Sequence, residues 1–312
     1  MITLNYPEIP AEKKLVAATG FFDGVHTGHQ AILRNIACEA KRQNKKSCAV
    51  TFWPHPRIVL SKDAETLRLL TTIDEKMEII SKLGINYFYL IPFTQKFSLL
   101  SPKQFIKNIL MDKIDISQLY IGYNHHLGHN ARAGFDEIKK TGRKFNIEVF
   151  KTDEISCGNS KISSTCIRKL LEAGDIENAN IMLGYSYCVQ GIVVRGNQIG
   201  RTLGFPTANI QPNAYKMIPQ NGVYAVKVKI KNLEYNGMLN IGLRPTLNNT
   251  EKSVVEVNIF DFNEDIYDIT ISVKILQRIR DERFFASLDL LKNQLQQDES
   301  AIRKIFAKKD NI

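Results

Sequence analysis

Gly20-Phe21-Phe22-Asp23-Gly24-Val25-His26-Thr27-Gly28-His29 follows the apolar run Leu15 to Thr19 and opens a stretch with helical spacing, Gln30 to Arg42. It lies where a strand hands over to a helix. A helix start presents unpaired N–H groups and the positive end of its dipole, which together favour phosphate. Gly20, Gly24 and Gly28, with Phe22 between them, let the backbone approach an anion without a Cβ in the way. His26 and His29 add donors that gain strength as charge develops on a reacting phosphoryl group. Two histidines three apart are more often packing or surface residues, but the glycines and the strand–turn–helix setting reverse that preference.

Working outward, apolar strands alternate with helices up to about residue 182. Candidate strands are Leu15–Thr19, Ser47–Phe52, Tyr87–Ile91, Leu119–Gly122 and Ile147–Phe150, with a further helix over Asp74–Leu83. That alternation predicts a Rossmann-like, doubly wound parallel sheet with ligands at the carboxyl ends of its strands. From Tyr185 the rhythm becomes strand after strand: Cys188–Arg195, Gly222–Ile230, Tyr235–Ile241, Val254–Phe260 and Ile269–Ile279. Closely spaced strands predict a small antiparallel barrel, closed by a helix over Leu288–Phe306. A chain of 312 residues suits two domains. The change of rhythm puts them at 1–184 and 185–312.

The net charge of +10 is spread over both halves rather than gathered in a tail or stripe, so no nucleic-acid partner is expected. A mildly basic protein suits nucleotides equally well. Cys38, Cys48, Cys157, Cys166 and Cys188 are odd in number and lack CxxC spacing, which argues against a disulfide framework or a zinc site. They read as reduced core thiols. Nothing resembles a leader or a membrane span, so the expected location is cytoplasmic.

Three more segments of the first half fall at strand or helix ends. Thr51-Phe52-Trp53-Pro54-His55-Pro56-Arg57 is a loop held extended by its prolines. Gly122-Tyr123-Asn124-His125-His126-Leu127-Gly128 brings amides and imidazoles, but no carboxylate or cysteine completes a metal set. In Ile162-Ser163-Ser164-Thr165-Cys166-Ile167-Arg168, a serine at a helix start is ordinarily an N-cap. Arg168 one turn in favours an anion instead, because its planar fork binds phosphate bidentately.

GFFDGVHTGH resembles the HxGH nucleotidyltransferases, in which ATP is attacked at its α-phosphorus and pyrophosphate leaves. Together with TFWPHPR, GYNHHLG and ISSTCIRKLLEAGDIENANIMLGY, it resembles the adenylyltransferase module of bacterial bifunctional riboflavin kinase/FMN adenylyltransferases, the FAD synthetases, over residues 14–185. The resemblance implies that His26 and His29 stabilise ATP phosphates and that Asn124, Ser164, Thr165 and Arg168 complete the nucleotide site. It implies no covalent intermediate, only alignment and charge neutralisation with magnesium. The chain departs from the family pattern at Trp53, where an acidic residue is frequent, and at His126-Leu127. Both departures bear on flavin contacts more than on phosphate contacts.

In the second half, Gly191 to Asn209 contains GRTLGFPTAN and lacks the Walker lysine, so it is no P-loop. Gly196, Gly200 and Gly204 allow a tight loop over phosphates, with Arg201 beside them. Thr207 and Asn209 project to one face of an extended segment. Two neutral oxygen ligands, with ATP supplying the charge, suit Mg²⁺. In Val254–Phe260, alternation separates Val255, Val257 and Ile259 from Glu256 and Asn258. GRTLGFPTANI, NGVYAVKV, NIGLRPTL, VVEVNIFDF and IRDERFF are similar, in order, to the riboflavin kinase module of the same family over 187–306. That similarity implies that Glu256 accepts the proton of the ribityl 5′-hydroxyl, that Thr207 and Asn209 hold magnesium with ATP, and that Arg280 helps hold the flavin or its phosphate.

The expected protein is thus an enzyme that converts riboflavin and ATP to FMN, then FMN and a second ATP to FAD. Its partners are riboflavin, FMN, FAD and ATP, with no membrane, and self-association is left open. The rivals are transfer of AMP to another phosphate acceptor, which needs no barrel, and a flavin-nucleotide-binding regulator without turnover.

Overall fold

The computed structural model describes residues 1–60, 67–123, 134–153, 156–157, 160–196, 199–245 and 251–309. They form two compact units, Met1–Ser164 and Thr165–Ile312.

The first unit is built on β1 (Ile2–Asn5), β2 (Leu15–Thr19), β3 (Ser47–Trp53), β4 (Tyr87–Pro92), β5 (Ile116–Ile121) and β6 (Glu148–Lys151). All pair in parallel, in the order β1-β4-β3-β2-β5-β6. β2 is buried at every residue, which requires apolar layers on both faces. Leu15 and Ala17 join Val50, Tyr89 and Leu119 on one face, while Val16 and Ala18 meet Leu33 and Ile36 on the other. Leu33, Ile36 and Ala40 are the buried stripe of the helix Thr27–Arg42. The chain leaves β2 towards β3 and returns on the other side with β5, so strand order reverses at β2. A crevice at the carboxyl ends follows from that reversal. β1 was not anticipated. It is a short edge strand, mostly exposed, and ITLN carries no apolar run. A two-stranded hairpin, β7 (Ser156–Cys157) with β8 (Ser160–Lys161), completes this unit.

The second unit is a closed barrel of β9 (Cys188–Val194), β10 (Ala208–Pro212), β11 (Gly222–Ile230), β12 (Leu233–Pro245), β13 (Glu251–Ile259) and β14 (Thr270–Arg280), ordered β10-β13-β12-β11-β14-β9 with every pair antiparallel. The helix Leu288–Lys309 packs Ile302 and Phe306 against Val223, Ala225 and Met238. Those residues therefore face outwards, under the helix.

The compact units part at Ser164/Thr165, ahead of the change of strand rhythm near Gly184. The helices Ser164–Glu172 and Ile176–Leu183 explain the difference, because they are tied to the barrel. Asn180 Nδ2 donates to the Ile275 carbonyl at 2.9 Å, and the Gln220 N–H donates to the Leu171 carbonyl at 2.9 Å. Gly184 only ends the second helix, in a left-handed conformation at φ 74°.

The thiols differ from expectation. Cys48 is buried, but Cys166 and Cys188 are half-buried and Cys38 is exposed. Cys38 lies on the solvent side of its helix, opposite the Leu33/Ile36 stripe. The side chain of Cys157 lies outside the described residues.

Barrel closure leaves little room where β9 crosses β10. A Cβ on Gly191 would lie 2.4 Å from the Gln211 carbonyl oxygen, and this backbone cannot withdraw without breaking the β9–β10 ladder. Gly191→Ala should therefore destabilise the barrel by about 1–3 kcal/mol or more, read as a lowered urea midpoint for unfolding of the second unit.

Candidate active sites

In the first unit, β2 runs into a turn that the backbone makes in left-handed conformations. Phe22 has φ 47°, Gly24 78° and Val25 37°. Only the glycine adopts such angles readily, and a β-branched residue there is strained. The turn ends at His26, which is extended and serves as N-cap of the helix Thr27–Arg42. Its Nδ1 accepts the His29 N–H at 3.4 Å. Gly28 makes room for this, since a Cβ there would sit 3.2 Å from the His26 ring. Gly20 likewise leaves space for the Phe22 ring, 3.1 Å from the nearest atom. These two glycines therefore serve side-chain packing as well as any approach by a phosphate.

The imidazoles of His26 and His29 stack, with centroids 3.7 Å apart and planes 18° from parallel, and Phe22 meets His29 edge-on at 5.4 Å. Burial of His26, 7 % exposed, pushes its pKa down to about 4. The ring is neutral near pH 7. With Nδ1 accepting from the backbone, the proton sits on Nε2, which is the nitrogen left to donate to a ligand.

Further side chains hold this turn, and sequence reading did not find them. Asp23 is buried, and its Oδ1 accepts the N–H groups of Leu70 at 2.9 Å and Thr71 at 3.2 Å. The Thr71 hydroxyl accepts the Gly24 N–H at 3.0 Å. Gln30 Nε2 donates to the Val25 carbonyl at 2.9 Å, and Lys76 Nζ to the Phe21 carbonyl at 2.6 Å. The signal available in sequence was the capping box of Thr72 and Glu75, which starts the helix Ile73–Ser81. Nothing in its spacing ties that helix to the turn.

Ser164 does come to the turn, its hydroxyl donating to the Asp23 carbonyl at 2.8 Å. Thr165, exposed, and Arg168, half-buried, follow on the same helix and belong to the second unit. Asn124 and His126-Leu127 lie outside the described residues. At the ends of β3 and β4, Phe21 packs against Phe52 at 5.3 Å and His55 at 5.0 Å, and Phe52 against Phe97 at 5.5 Å. An aromatic wall thus stands beside the turn.

In the second unit, strand register decides the site. Asn209 of β10 lies opposite Glu256 of β13, which lies opposite Asn240 of β12. Directly opposed residues of antiparallel strands share a face. Val255, Val257 and Ile259 are buried on the other face, as alternation predicts. Glu256 lines a cavity of about 520 Å³ with Gly200, Thr207, Asn258 and Arg280.

Two glycines leave the polar face open. A Cβ on Gly196 would lie 2.1 Å from Asn209 Nδ2, and one on Gly200 would lie 3.4 Å from Thr207 Oγ1 and 2.3 Å from the Phe205 carbonyl oxygen. The cradle so formed offers a hydroxyl and an amide, both neutral oxygen donors, and this set fits a magnesium ion that takes its other ligands from phosphate and water. No cluster of three or more histidine, cysteine or acidic ligands occurs among the described residues. Arg201 is exposed beside this loop.

Arg280 lines the cavity but is already engaged. Its Nε and Nη2 bind the carboxylate of Asp298, which is 3 % exposed, at 2.9 Å and 2.8 Å, and Gln294 Nε2 donates to the same carboxylate at 2.8 Å. Asp298 lies on the closing helix, far along the chain, and sequence reading missed it. Phe284, 97 % exposed, stands at the rim.

A left-handed turn that sets two stacked histidines at a helix start on a parallel sheet, and a barrel with a carboxylate, a hydroxyl and amides around a cavity, define a two-unit chain of enzyme type. Comparison with known proteins narrows this. The FAD synthetase family matches residues 8–166 and the riboflavin kinase family residues 183–306. Proteins named bifunctional riboflavin kinase/FMN adenylyltransferase are similar over nearly the whole chain. The one from Listeria monocytogenes is 38% identical, covering 94% of this chain and 93% of its own, and the one from Bacillus subtilis 37%, covering 95% and 94%. That of Escherichia coli K12 is 33% identical, covering 97% and 96%. A crystal structure described as a macrolide-efflux protein from Streptococcus pneumoniae has the same fold, with a TM-score of 0.88 and 31% identity over 97% of this chain and 99% of that one. Among the described residues, no helix is long and apolar enough to cross a membrane. The chain belongs to the bacterial bifunctional riboflavin kinase/FMN adenylyltransferase family.

The buried imidazole makes the first unit sensitive to acid. The unfolded chain takes up a proton on His26 near the ordinary histidine value of 6.5, but the folded chain only near 4. The stability contributed by the neutral ring is whole above pH 6.5 and is lost as pH falls towards 4, by roughly 3 kcal/mol. Urea midpoints measured across that window should fall more steeply for the wild type than for His26→Asn, and parallel slopes would remove His26 from the acid response.

Proposed function

We propose that this chain makes FAD in two steps, phosphorylating riboflavin at the barrel and adenylylating FMN at the parallel-sheet unit. The observation that carries the reading is that both motif sets stand in one chain, with His26, His29 and Ser164 at the turn of the first unit and Glu256 in register with Asn209 on the barrel of the second. The adenylyltransferase assignment takes in 1–184 and the kinase assignment 185–312. The fact that the helices between 164 and 183 pack with the barrel fixes where they fold rather than which reaction they serve.

At the barrel, Glu256 accepts the proton of the ribityl 5′-hydroxyl as its oxygen attacks the γ-phosphorus of ATP, and ADP leaves. Asn209 and Asn240 flank Glu256 in register. Thr207 and Asn209 would hold magnesium, which when bound neutralises charge on the phosphates. Gly196, Gly200 and Arg201 border the triphosphate. Arg280, fixed by Asp298, orients the flavin end of the substrate rather than swinging to it.

At the turn, an oxygen of the FMN phosphate attacks the α-phosphorus of ATP and pyrophosphate leaves, with no covalent enzyme intermediate. His26 donates through Nε2 and His29 lies against it, so both meet the charge that grows on the phosphoryl oxygens. Gly20, Phe22, Gly24 and Gly28 shape the turn, and Asn124, Ser164, Thr165 and Arg168 complete the nucleotide site. The aromatic wall of Phe21, Phe52 and Phe97 offers the apolar surface a flavin ring needs. Small-molecule substrates and free thiols suit a cytoplasmic location.

Incubation with riboflavin and MgATP, followed by chromatography, should show FMN before FAD. Glu256→Gln keeps size but removes the proton acceptor, so phosphorylation should fall by about 10²- to 10⁴-fold while adenylylation of supplied FMN persists. His26→Ala should do the reverse, costing FAD formation roughly 10²- to 10³-fold and leaving FMN to accumulate. Equal loss of both activities in either variant would count against two independent sites.

A further inference from the structure

Lys76 carries an ammonium group only 5 % exposed, inside the first turn of the helix Ile73–Ser81. Its Nζ donates to the Phe21 carbonyl at 2.6 Å, on the residue that enters the left-handed turn. Phe22 and Val25, the non-glycine residues of that turn with positive φ, are held in conformations that cost of order 1–3 kcal/mol each and persist only where the surroundings fix them. The ties that fix them come largely from one segment, Leu70 to Lys76, through the N–H groups of Leu70 and Thr71, the Thr71 hydroxyl and the Lys76 ammonium.

A carbonyl could be satisfied by a neutral donor, and the Thr51 hydroxyl from β3 already donates to Phe21 at 3.4 Å. Burying an ammonium instead costs several kcal/mol unless its charge is answered. Asp23, on the turn itself, supplies the opposing field. On the lysine's own helix, the Glu75 carboxylate turns back to the Thr72 N–H at 2.9 Å, and Asp74 is exposed. Charge at this place therefore couples the turn to the helix behind it.

We propose that Lys76 is a positioning residue for adenylyl transfer: its ammonium latches Phe21 and, with Asp23, holds the left-handed turn that sets His26 at the helix start. The inference rests on adenylyl transfer occurring at this turn and adds a residue that touches neither nucleotide nor flavin. Burial lowers the Lys76 pKa to about 8, against the opposing effect of Asp23. The charged latch is complete well below that value and is lost as pH rises through it.

The test measures kcat and KM for FAD formation from supplied FMN, and for FMN formation from riboflavin, on both sides of pH 8 in the full-length chain. Lys76→Met should lower kcat for FAD formation by about 10- to 100-fold, with little change in KM for ATP and none in riboflavin phosphorylation. Lys76→Arg should restore most of the rate and abolish the alkaline fall, since its guanidinium keeps its proton. Where Lys76→Met fails to fold, the wild-type and Lys76→Arg pH profiles decide by themselves, and an identical alkaline limb in the two overturns the latch. Unchanged FAD formation by a folded Lys76→Met overturns it as well. A wild type that makes FMN but no FAD would instead overturn the site reading beneath it.

Discussion

The left-handed turn from Phe22 to Val25 is the constraint that places His26 at the helix start and on which the arrangement of the candidate site in the first unit depends. A strand that runs straight into a helix would carry the first helical turn away from the crevice at the carboxyl ends of β2 and β5. Bending left-handed brings His26 to the helix start with its ring over Gly28 and its Nδ1 spent on the His29 N–H. That single hydrogen bond decides which nitrogen remains for a ligand. Burial decides that the ring arrives neutral, a donor that can strengthen as charge develops rather than a fixed cation.

The strain of the turn is balanced by groups from distant parts of the first unit. Thr71, Lys76 and Gln30 each satisfy a backbone group of the irregular turn, and Asp23, on the turn, accepts the N–H groups of Leu70 and Thr71 in return. The barrel reaches a comparable result without strain. There the antiparallel register of β10, β13 and β12 places Asn209, Glu256 and Asn240 side by side, and barrel closure fixes that register because a one-residue slip would turn every side chain to the wrong face. Rigid strands suit a general base, which must stay within hydrogen-bond reach of one hydroxyl.

Arg280 is held in place at the barrel cavity by packing on the closing helix. Its ion pair with Asp298, supported by Gln294, joins the end of β14 to the closing helix. A guanidinium anchored in this way presents a fixed edge to the cavity. It is suited to orienting a substrate and poorly suited to moving with one.

The sequence by itself determined the two architectures, because they follow from periodicity. Alternating buried strands and amphipathic helices require layers on both sides of a sheet, and strand following strand requires a barrel. It also determined the residue types at both candidate sites, since HxGH follows a strand at a helix start and PTAN follows GRTLGF at the entry to β10. The tertiary structure decided what depends on long-range contact: the edge strand β1, the docking of the helices between 164 and 183 on the barrel, the exposure of Cys38, and the partners Asp23, Thr71, Lys76 and Asp298. None of these follows from local spacing. Each depends on which distant groups a buried charge or an unpaired backbone group meets when the chain closes on itself, and that is set only by packing in three dimensions.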